Sequence, residues 1–411
     1  MLEKLEMSHD TFNLTKNGKV VSKTFTILSA QQFYYQEVAW WDSLARQKIL
    51  FCDLHHKHDI AEKFKELIGI PIDIFLDILQ LFLLAVFHKD FTNNTQLNLN
   101  LNTSLAFIED LYGNKIRSKV EDILTVSRES IFDILNEDKR LVRNYNLQVF
   151  ESSFFARKPF LLFQGKIHLP HKAIMNNTIN HYIYEFMKHK DPDFSTELGS
   201  RFEKYVQIGL NEINIEYKTE NDLRKTLGKK HNVVDFIIED EILVEVKAIE
   251  LKPYASLNPT NEILGNELRK TIVKAYSNQI LKVANAIHQP NKEYFGIIIT
   301  YKNLYLGNSL SMWQQFLEEE TNNQGLNPQT VSLVPIENLF FMDLRTWDKI
   351  IQIIKDKGIS LKDILIKARN TDTSPENSKF FFDMHLDEYD IGINNLSYLL
   401  KARDEIFSTI K

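Results

Sequence analysis

Asn232 to Ile249 reads NVVDFIIEDEILVEVKAI, two β-branched apolar runs separated by an acidic turn at Glu239, Asp240 and Glu241. Side chains of this kind suit a pleated, packed surface, and the polar interruption marks a reversal, so the stretch predicts a β-hairpin. A hairpin centred on Asp240 pairs Ile238 with Ile242 and sets Asp235 opposite Glu245, with Lys247 two residues further along the same face. Two carboxylates opposed about 5 Å apart at Cβ repel one another. A divalent cation shared between them turns repulsion into coordination, and Mg2+ takes one or two protein carboxylates and completes its octahedron with water and phosphate oxygens. Val234, Phe236 and Ile238, with Val244, Val246 and Ala248, make up the alternate face, which is expected to pack into a core while the carboxylate face stays polar. The competing expectation is a charged outer face on which Lys247 merely balances nearby acids.

The flanks of the hairpin carry further candidates. Gly199 to Ile213 reads GSRFEKYVQIGLNEI, a helix with the stripe Phe202, Val206, Leu210 and Ile213. Glu203 stands at the edge of that stripe, its carboxylate aimed at the protein body, where a metal or a lysine would offset the cost of burial; the alternative is a flank residue reaching solvent. Asn261 to Ile287 has a second long helical pattern, with Gln279 and Lys282 on one face and Lys270 and Lys274 one and two turns earlier. These lysines make either a rail for phosphates or a solvated face. Tyr294 to Tyr301, YFGIIITY, predicts a buried strand.

The order of these parts, with a first strand near Ile215 to Lys218, resembles the PD-(D/E)XK nuclease superfamily. The core of that superfamily is a helix, a three-strand meander, a second helix and a fourth strand. The resemblance covers Gly199 to Tyr301, about a quarter of the chain. It matches Asp235 to the first acid, Glu245-Val246-Lys247 to the acidic-x-Lys element, Glu203 to the acid of the first helix, and Gln279-x-x-Lys282 to the accessory motif. Val234 stands where the family name has Pro. Asp191-Pro192-Asp193 offers a literal Pro-Asp, but it precedes the Glu203 helix and is a decoy.

The resemblance implies a restriction-endonuclease-like α/β core. It further implies that Asp235, Glu245, the Val246 carbonyl and Glu203 hold Mg2+, with Mn2+ able to substitute. Lys247 would orient or activate the attacking water, and Gln279 and Lys282 would bind substrate. The implied activity is metal-dependent hydrolysis of phosphodiester bonds, with DNA favoured. RNA, such as tRNA, is the second substrate, and a non-catalytic nucleic-acid or protein-binding module on the same fold is the contrasting class. By analogy the role is restriction or anti-phage defence, with nucleic acid, a second copy of the chain and a phage-derived activator as expected partners.

With 411 residues, 44% hydrophobic and 25% charged, the chain is predicted to form more than one globular unit. Three regions are expected: a mainly helical 1–190, the nuclease core 191–310, and a mixed 311–411. Polar stretches at Thr92–Ser104, Lys188–Ser195, Thr321–Thr330 and Asn370–Ser378 are expected loops. Ile70–Phe87 and Ser104–Leu135 are expected helices and Phe160–Leu169 a strand. Val331–Leu344 reads as strand-rich, and Trp347–Asp356 and Leu361–Ala368 as helical. The formal net charge of −6 argues against bulk electrostatic coating of nucleic acid but permits a local groove.

A single cysteine, Cys52, and the mixed charge of Met1 to Asp10 predict a cytoplasmic protein. Asp73, Asp77 and Gln80 interrupt the most apolar stretch, so no membrane segment is expected. Cys52, His55, His56 and His58 form an incomplete zinc pattern. Phe33, Tyr34, Tyr35, Trp40 and Trp41 read as core or as base-stacking residues, and Arg157, Lys158 and His168 as surface charges or backbone contacts. Gly-rich phosphate loops, GxSxG, HExxH and heptads are absent, which disfavours an NTPase motor, an α/β-hydrolase, a zincin and a coiled coil.

Overall fold

The computed structural model describes residues 40–88, 99–131, 155, 157–228, 231–252, 255, 260–313, 317–323, 327–374 and 376–408. They fall into two compact units, one of residues 40–201 with 397–408, the other of residues 202–396. This division differs from 1–190, 191–310 and 311–411. The cut lies inside one helix, and residues 311–396 cluster with the candidate site.

The first unit is built on helices α1 (Trp41–Lys48), α2 (Ile60–Ile68), α3 (Ile72–His88), α4 (Asn102–Tyr112), α5 (Asn114–Leu124), α6 (Lys172–Lys190) and the start of α7 (Phe194–Glu212). Asp59 caps α2 by accepting from the Ala61 and Glu62 N–H groups, and Gly69, at φ 80°, ends it in the left-handed conformation. The apolar run of α3 is core: Phe75, Leu76, Ile78, Leu79 and Phe82 are all fully buried. Gly113 divides the single helix expected over Ser104–Leu135 into α4 and α5; residues 132–135 lie outside the described residues.

Helices do not make up this unit alone. Strands β1 (Leu99–Asn100), β2 (Thr125–Ser127), β3 (Phe160–Phe163) and β4 (Lys166–Leu169) form a sheet of order β1-β4-β3-β2. The loop expected at Thr92–Ser104 thus gives way to strand and helix from Leu99 onward. The loop expected at Lys188–Ser195 shrinks to residues 191–193, because buried Phe194 anchors the start of α7.

The second unit is a five-stranded mixed sheet of order β5-β6-β7-β8-β9: β5 (Tyr217–Thr219), β6 (Phe236–Ile238), β7 (Ile242–Lys247), β8 (Phe295–Thr300) and β9 (Leu339–Asp343). The first three strands run antiparallel, and β7, β8 and β9 are parallel. Helix α8 (Glu220–Leu227) interrupts the expected meander between β5 and β6, started by a reciprocal capping box of Thr219 and Asp222. The crossover from β7 to β8 is one helical run: α9 (Asn261–Leu268), two segments of wide π-type turns (Arg269–Val273 and Ala275–Ile280), then α10 (Leu281–Ala286). Gly296 on β8 admits this run close to the sheet, since a Cβ there would stand 3.0 Å from Leu339 Cδ1 and 3.2 Å from Ile280 Cγ2.

Beyond β8, α11 (Leu344–Lys357) and α12 (Leu361–Asp372) match the expected helices and absorb the first residues of the Asn370–Ser378 loop. The strand-rich expectation over Val331–Leu344 reduces to β9 behind a turn at Pro335. Short helices at Glu318–Asn323 and Pro328–Val331 take up most of the loop expected at Thr321–Thr330.

Among the described residues no single helix is long and apolar enough to cross a membrane. Ile60–Ile68 and Ile72–Ala85 pass that test only as a pair, bent by 72°.

Candidate active site

The hairpin has the register that its pattern dictates: Phe236 faces Val244, Ile237 faces Leu243 and Ile238 faces Ile242. The Ile238 carbonyl accepts from the Glu241 N–H at 3.1 Å across the turn, and Glu239 and Asp240 both take positive φ, 50° and 59°. One residue beyond the ladder, Asp235 stands opposite Glu245. Strand β6 ends there because two other partners take over: the Asp235 carbonyl accepts from the Glu220 N–H at 2.8 Å, and its Oδ2 accepts from the Val246 N–H at 2.7 Å.

The expectation that the carboxylate face is a polar surface is overturned. Ile237 and Leu243, which share that face, are buried in the same apolar cluster as Ile280, Leu281 and Ala284 of the crossover run. Strand β7 is central, bonded on both sides and covered on both faces, so Glu245 is 0% exposed. Its Oε1 accepts from Lys247 Nζ and from the amide of Gln279, which also donates to the Val233 carbonyl at 3.3 Å. Its Oε2 is buried with no hydrogen-bond partner among the described residues.

Gln279, expected to bind substrate, points inward and holds a carboxylate. Lys282, its companion in the motif, is exposed. The wide turn at Ala275–Ile280 is the local cause: it changes the angular step between neighbours, and π-type turns of this sort often occur at functional sites.

Charge is crowded here. Burial first, then the neighbouring Asp235, pushes the Glu245 carboxyl up, against the pull of Lys247 and Gln279. Burial likewise raises Asp235, opposed by the Val246 N–H and Lys247. Glu203 is half-buried on α7; burial, Asp235 and Glu220 together push its carboxyl up to about 7, while Lys247 and Lys204 draw it down. Burial tends to lower Lys247, but Glu245, Asp235 and Glu203 outweigh it and raise the ammonium's pKa. One lysine thus faces three acids that resist ionisation, a field that favours an additional cation.

Among the described residues no three His, Cys, Asp or Glu side chains converge closely enough to hold one metal. The three-carboxylate shell expected of Asp235, Glu245 and Glu203 is therefore not assembled, and Glu203 joins the pair through its field. The two-carboxylate set with the Val246 carbonyl does fit a hard divalent cation. Its donors are oxygens, and the buried Glu245 Oε2 is an acceptor left without a hydrogen-bond partner among the described residues.

No family model, curated protein or solved structure matches this chain.

Glu220 escaped the sequence reading, although Thr219-x-x-Asp222 was a visible capping signal that would have placed it at the start of α8. It pairs with Arg224 at 2.5 Å and adds negative charge beside Asp235 and Glu203. Lys302, just beyond β8, pairs with Glu250, just beyond β7, at 3.0 Å and ties the exits of the two strands.

The zinc pattern does not form. Burial and nearby Asp73 push the Cys52 thiol up, while His56 and His58 engage Glu197 at 3.2 Å and Asp191 at 2.8 Å. Asp191, the decoy, is thus a hydrogen-bond partner of His58 in the first unit. Lys158 donates to the Asp122 and Thr125 carbonyls at the end of α5, a structural use of its charge. Trp41 packs on Phe407 with ring centroids 5.0 Å apart, and Trp40 is exposed. Phe33, Tyr34 and Tyr35 lie outside the described residues.

Proposed function

We propose that the chain is a Mg2+-dependent nuclease of the PD-(D/E)XK type that hydrolyses phosphodiester bonds, DNA before RNA. One observation carries this. Asp235 and Glu245 meet across a hairpin whose centre is fully buried, with Lys247 Nζ bonded to one Glu245 oxygen while the other oxygen has no hydrogen-bond partner among the described residues.

Asp235, Glu245 and the Val246 carbonyl are the residues that would hold Mg2+ or Mn2+. The ion supplies Lewis acidity toward the scissile phosphate and neutralises its charge. The chain's own groups do the positioning. Gln279 locks the Glu245 carboxylate against β7, and the Val246 N–H fixes that of Asp235. Lys247 Nζ, a charged donor at the edge of the buried pair, orients the attacking water and stabilises negative charge building on the phosphoryl oxygens. Water is excluded from the apolar side by Ile237, Leu243 and the crossover run. A role in restriction or anti-phage defence, with a second copy of the chain or a phage-derived activator as partner, belongs to the same proposal by analogy.

A second proposal follows from the same hydrogen bonds: a non-catalytic module in which Glu245, Lys247 and Gln279 are a buried structural network. Purified protein incubated with plasmid, single-stranded DNA and total RNA, with Mg2+ or EDTA, separates the two. Cleavage that needs Mg2+ and falls by about 10²-fold or more in Asp235→Ala and Lys247→Ala is the expected result. Wild-type turnover by either variant removes that residue from the mechanism, and a chain that cuts none of the three substrates favours the binding module.

A further inference from the structure

Along the crossover run, every fourth residue from Glu262 to Ala286 faces solvent: Glu262, Asn266, Lys270, Lys274, Lys282 and Ala286 are exposed and Asn278 is half-exposed. A regular α-helix cannot do this, because a four-residue step overshoots one turn by about 40°, and six such steps carry the line through the core. The wide turns at Arg269–Val273 and Ala275–Ile280 hold about 4.4 residues each, so there a four-residue step falls short of a turn and the drift reverses. Alternation of the two geometries straightens the line into a ridge.

The ridge lysines carry their charge without an acid beside it among the described residues, as Lys357 does elsewhere in the unit. Lys270, Lys274 and Lys282 make no ion pair with any described residue, whereas Lys218, Lys225, Lys252, Lys302, Lys349 and Lys355 in the same unit each hold an acid. Glu267, the acid nearest in sequence to Lys270, is occupied by Lys252 at 2.6 Å. Neighbouring ridge positions lie about 6 Å apart, on the order of the step between successive phosphates of one strand. Asn278 on the ridge is adjacent in sequence to Gln279, whose amide reaches the buried carboxylate.

We propose that Lys270, Lys274 and Lys282 form a track that neutralises phosphates of one strand of the nucleic-acid substrate, with Asn278 filling the step between Lys274 and Lys282, and leads it past Glu245. The track takes its substrate class from the nuclease reading but is testable apart from it. Three ammonium groups in line, with no ion pair among the described residues, give a non-specific, salt-dependent grip.

The test is a salt titration of binding in EDTA, using the full chain and a fluorescent 30-nucleotide single strand or its duplex. Replacing all three lysines by alanine is expected to reduce the slope of log affinity against log salt by about 2 to 3, equally for unrelated sequences, and Lys→Arg at the same positions is expected to restore it. Lys357→Ala, exposed on α11, leaves the slope unchanged. An unaltered slope in the triple variant overturns the track, as does a wild-type chain that binds neither probe. Cleavage assays run in parallel keep the two ideas apart. A chain that binds through the ridge yet never cuts ends the nuclease reading alone, and one that cuts with unchanged KM after triple replacement ends the track alone.

Discussion

Glu245 is the residue on which the site turns, and its burial changes what mutagenesis must look like. On a solvated face Glu245→Ala would leave the fold untouched. In the core it strands the Lys247 ammonium and the Gln279 amide, so we expect a loss of about 2–4 kcal/mol on denaturant unfolding. Glu245→Gln retains an oxygen for both donors and is expected to cost under about 1 kcal/mol. Both variants should lose any Mg2+-dependent rise in melting temperature that the wild type displays. A Glu245→Ala chain as stable as the wild type would mean that this network contributes nothing to the fold. Sequence pattern was enough to place Asp235, Glu245 and Lys247 in register, because strand alternation is local. It did not show that Gln279 bonds Glu245, because the direction of that side chain depends on a change of helical pitch that no apolar spacing announced.

At the scale of elements, the crossover run and the sheet approach each other through Gly296. A methyl group there meets Leu339 Cδ1 at 3.0 Å and Ile280 at 3.2 and 3.3 Å, so these two buried side chains must give way by a few tenths of an ångström. Gly296→Ala is therefore expected to destabilise by about 1–3 kcal/mol and to shift the π-type turn that aims Gln279, lowering cleavage as well. Unchanged stability in that variant would mean the run has slack against β8. The hairpin turn holds strain of the opposite sense. Glu239 is exposed and adopts φ 50°, a conformation costly for a residue with a Cβ, and its backbone N–H donates to the Glu216 carbonyl at 3.0 Å. Glu239→Gly keeps that bond and should stabilise by about 1 kcal/mol, read as a raised denaturant midpoint at constant slope.

For the molecule as a whole, acid sensitivity is expected to come from the first unit. The Glu197 carboxylate is buried, which alone would raise its pKa. Arg201 and the backbone N–H groups of His58 and Lys57, together with His56, outweigh burial and hold it at about 2. A carboxyl whose folded pKa lies below its unfolded value near 4.5 binds its proton more readily when unfolded. Its contribution is thus complete above pH 4.5 and is lost as pH falls toward 2. The loss amounts to about 3 kcal/mol, and Glu197→Gln should flatten stability over that window. A wild-type profile as flat as the variant's would sink the assignment. Arg201, fully buried, also donates to the Leu50, Phe51 and His58 carbonyls, so this cluster fastens the segment between α1 and α2 to the start of α7.

What the amino-acid sequence determined by itself is whatever depends on near neighbours: the hairpin and its pairing, the crossover helix with α11 and α12, and the acidic-x-Lys element. Turn residues and apolar period act within a few positions, so their outcome can be read in order along the chain. The tertiary structure decided the rest: that both faces of β7 are covered, that Glu220 stands beside Asp235 and Glu203, and that the Cys52 and His56–His58 segment serves the carboxylates of Asp191, just past α6, and of Glu197 on α7. It also decided that a change of pitch turns Gln279 inward and lines up three lysines outside. Each of these is set by which surfaces press together across tens of residues, and burial, not composition, then sets the charge state of what is caught between them.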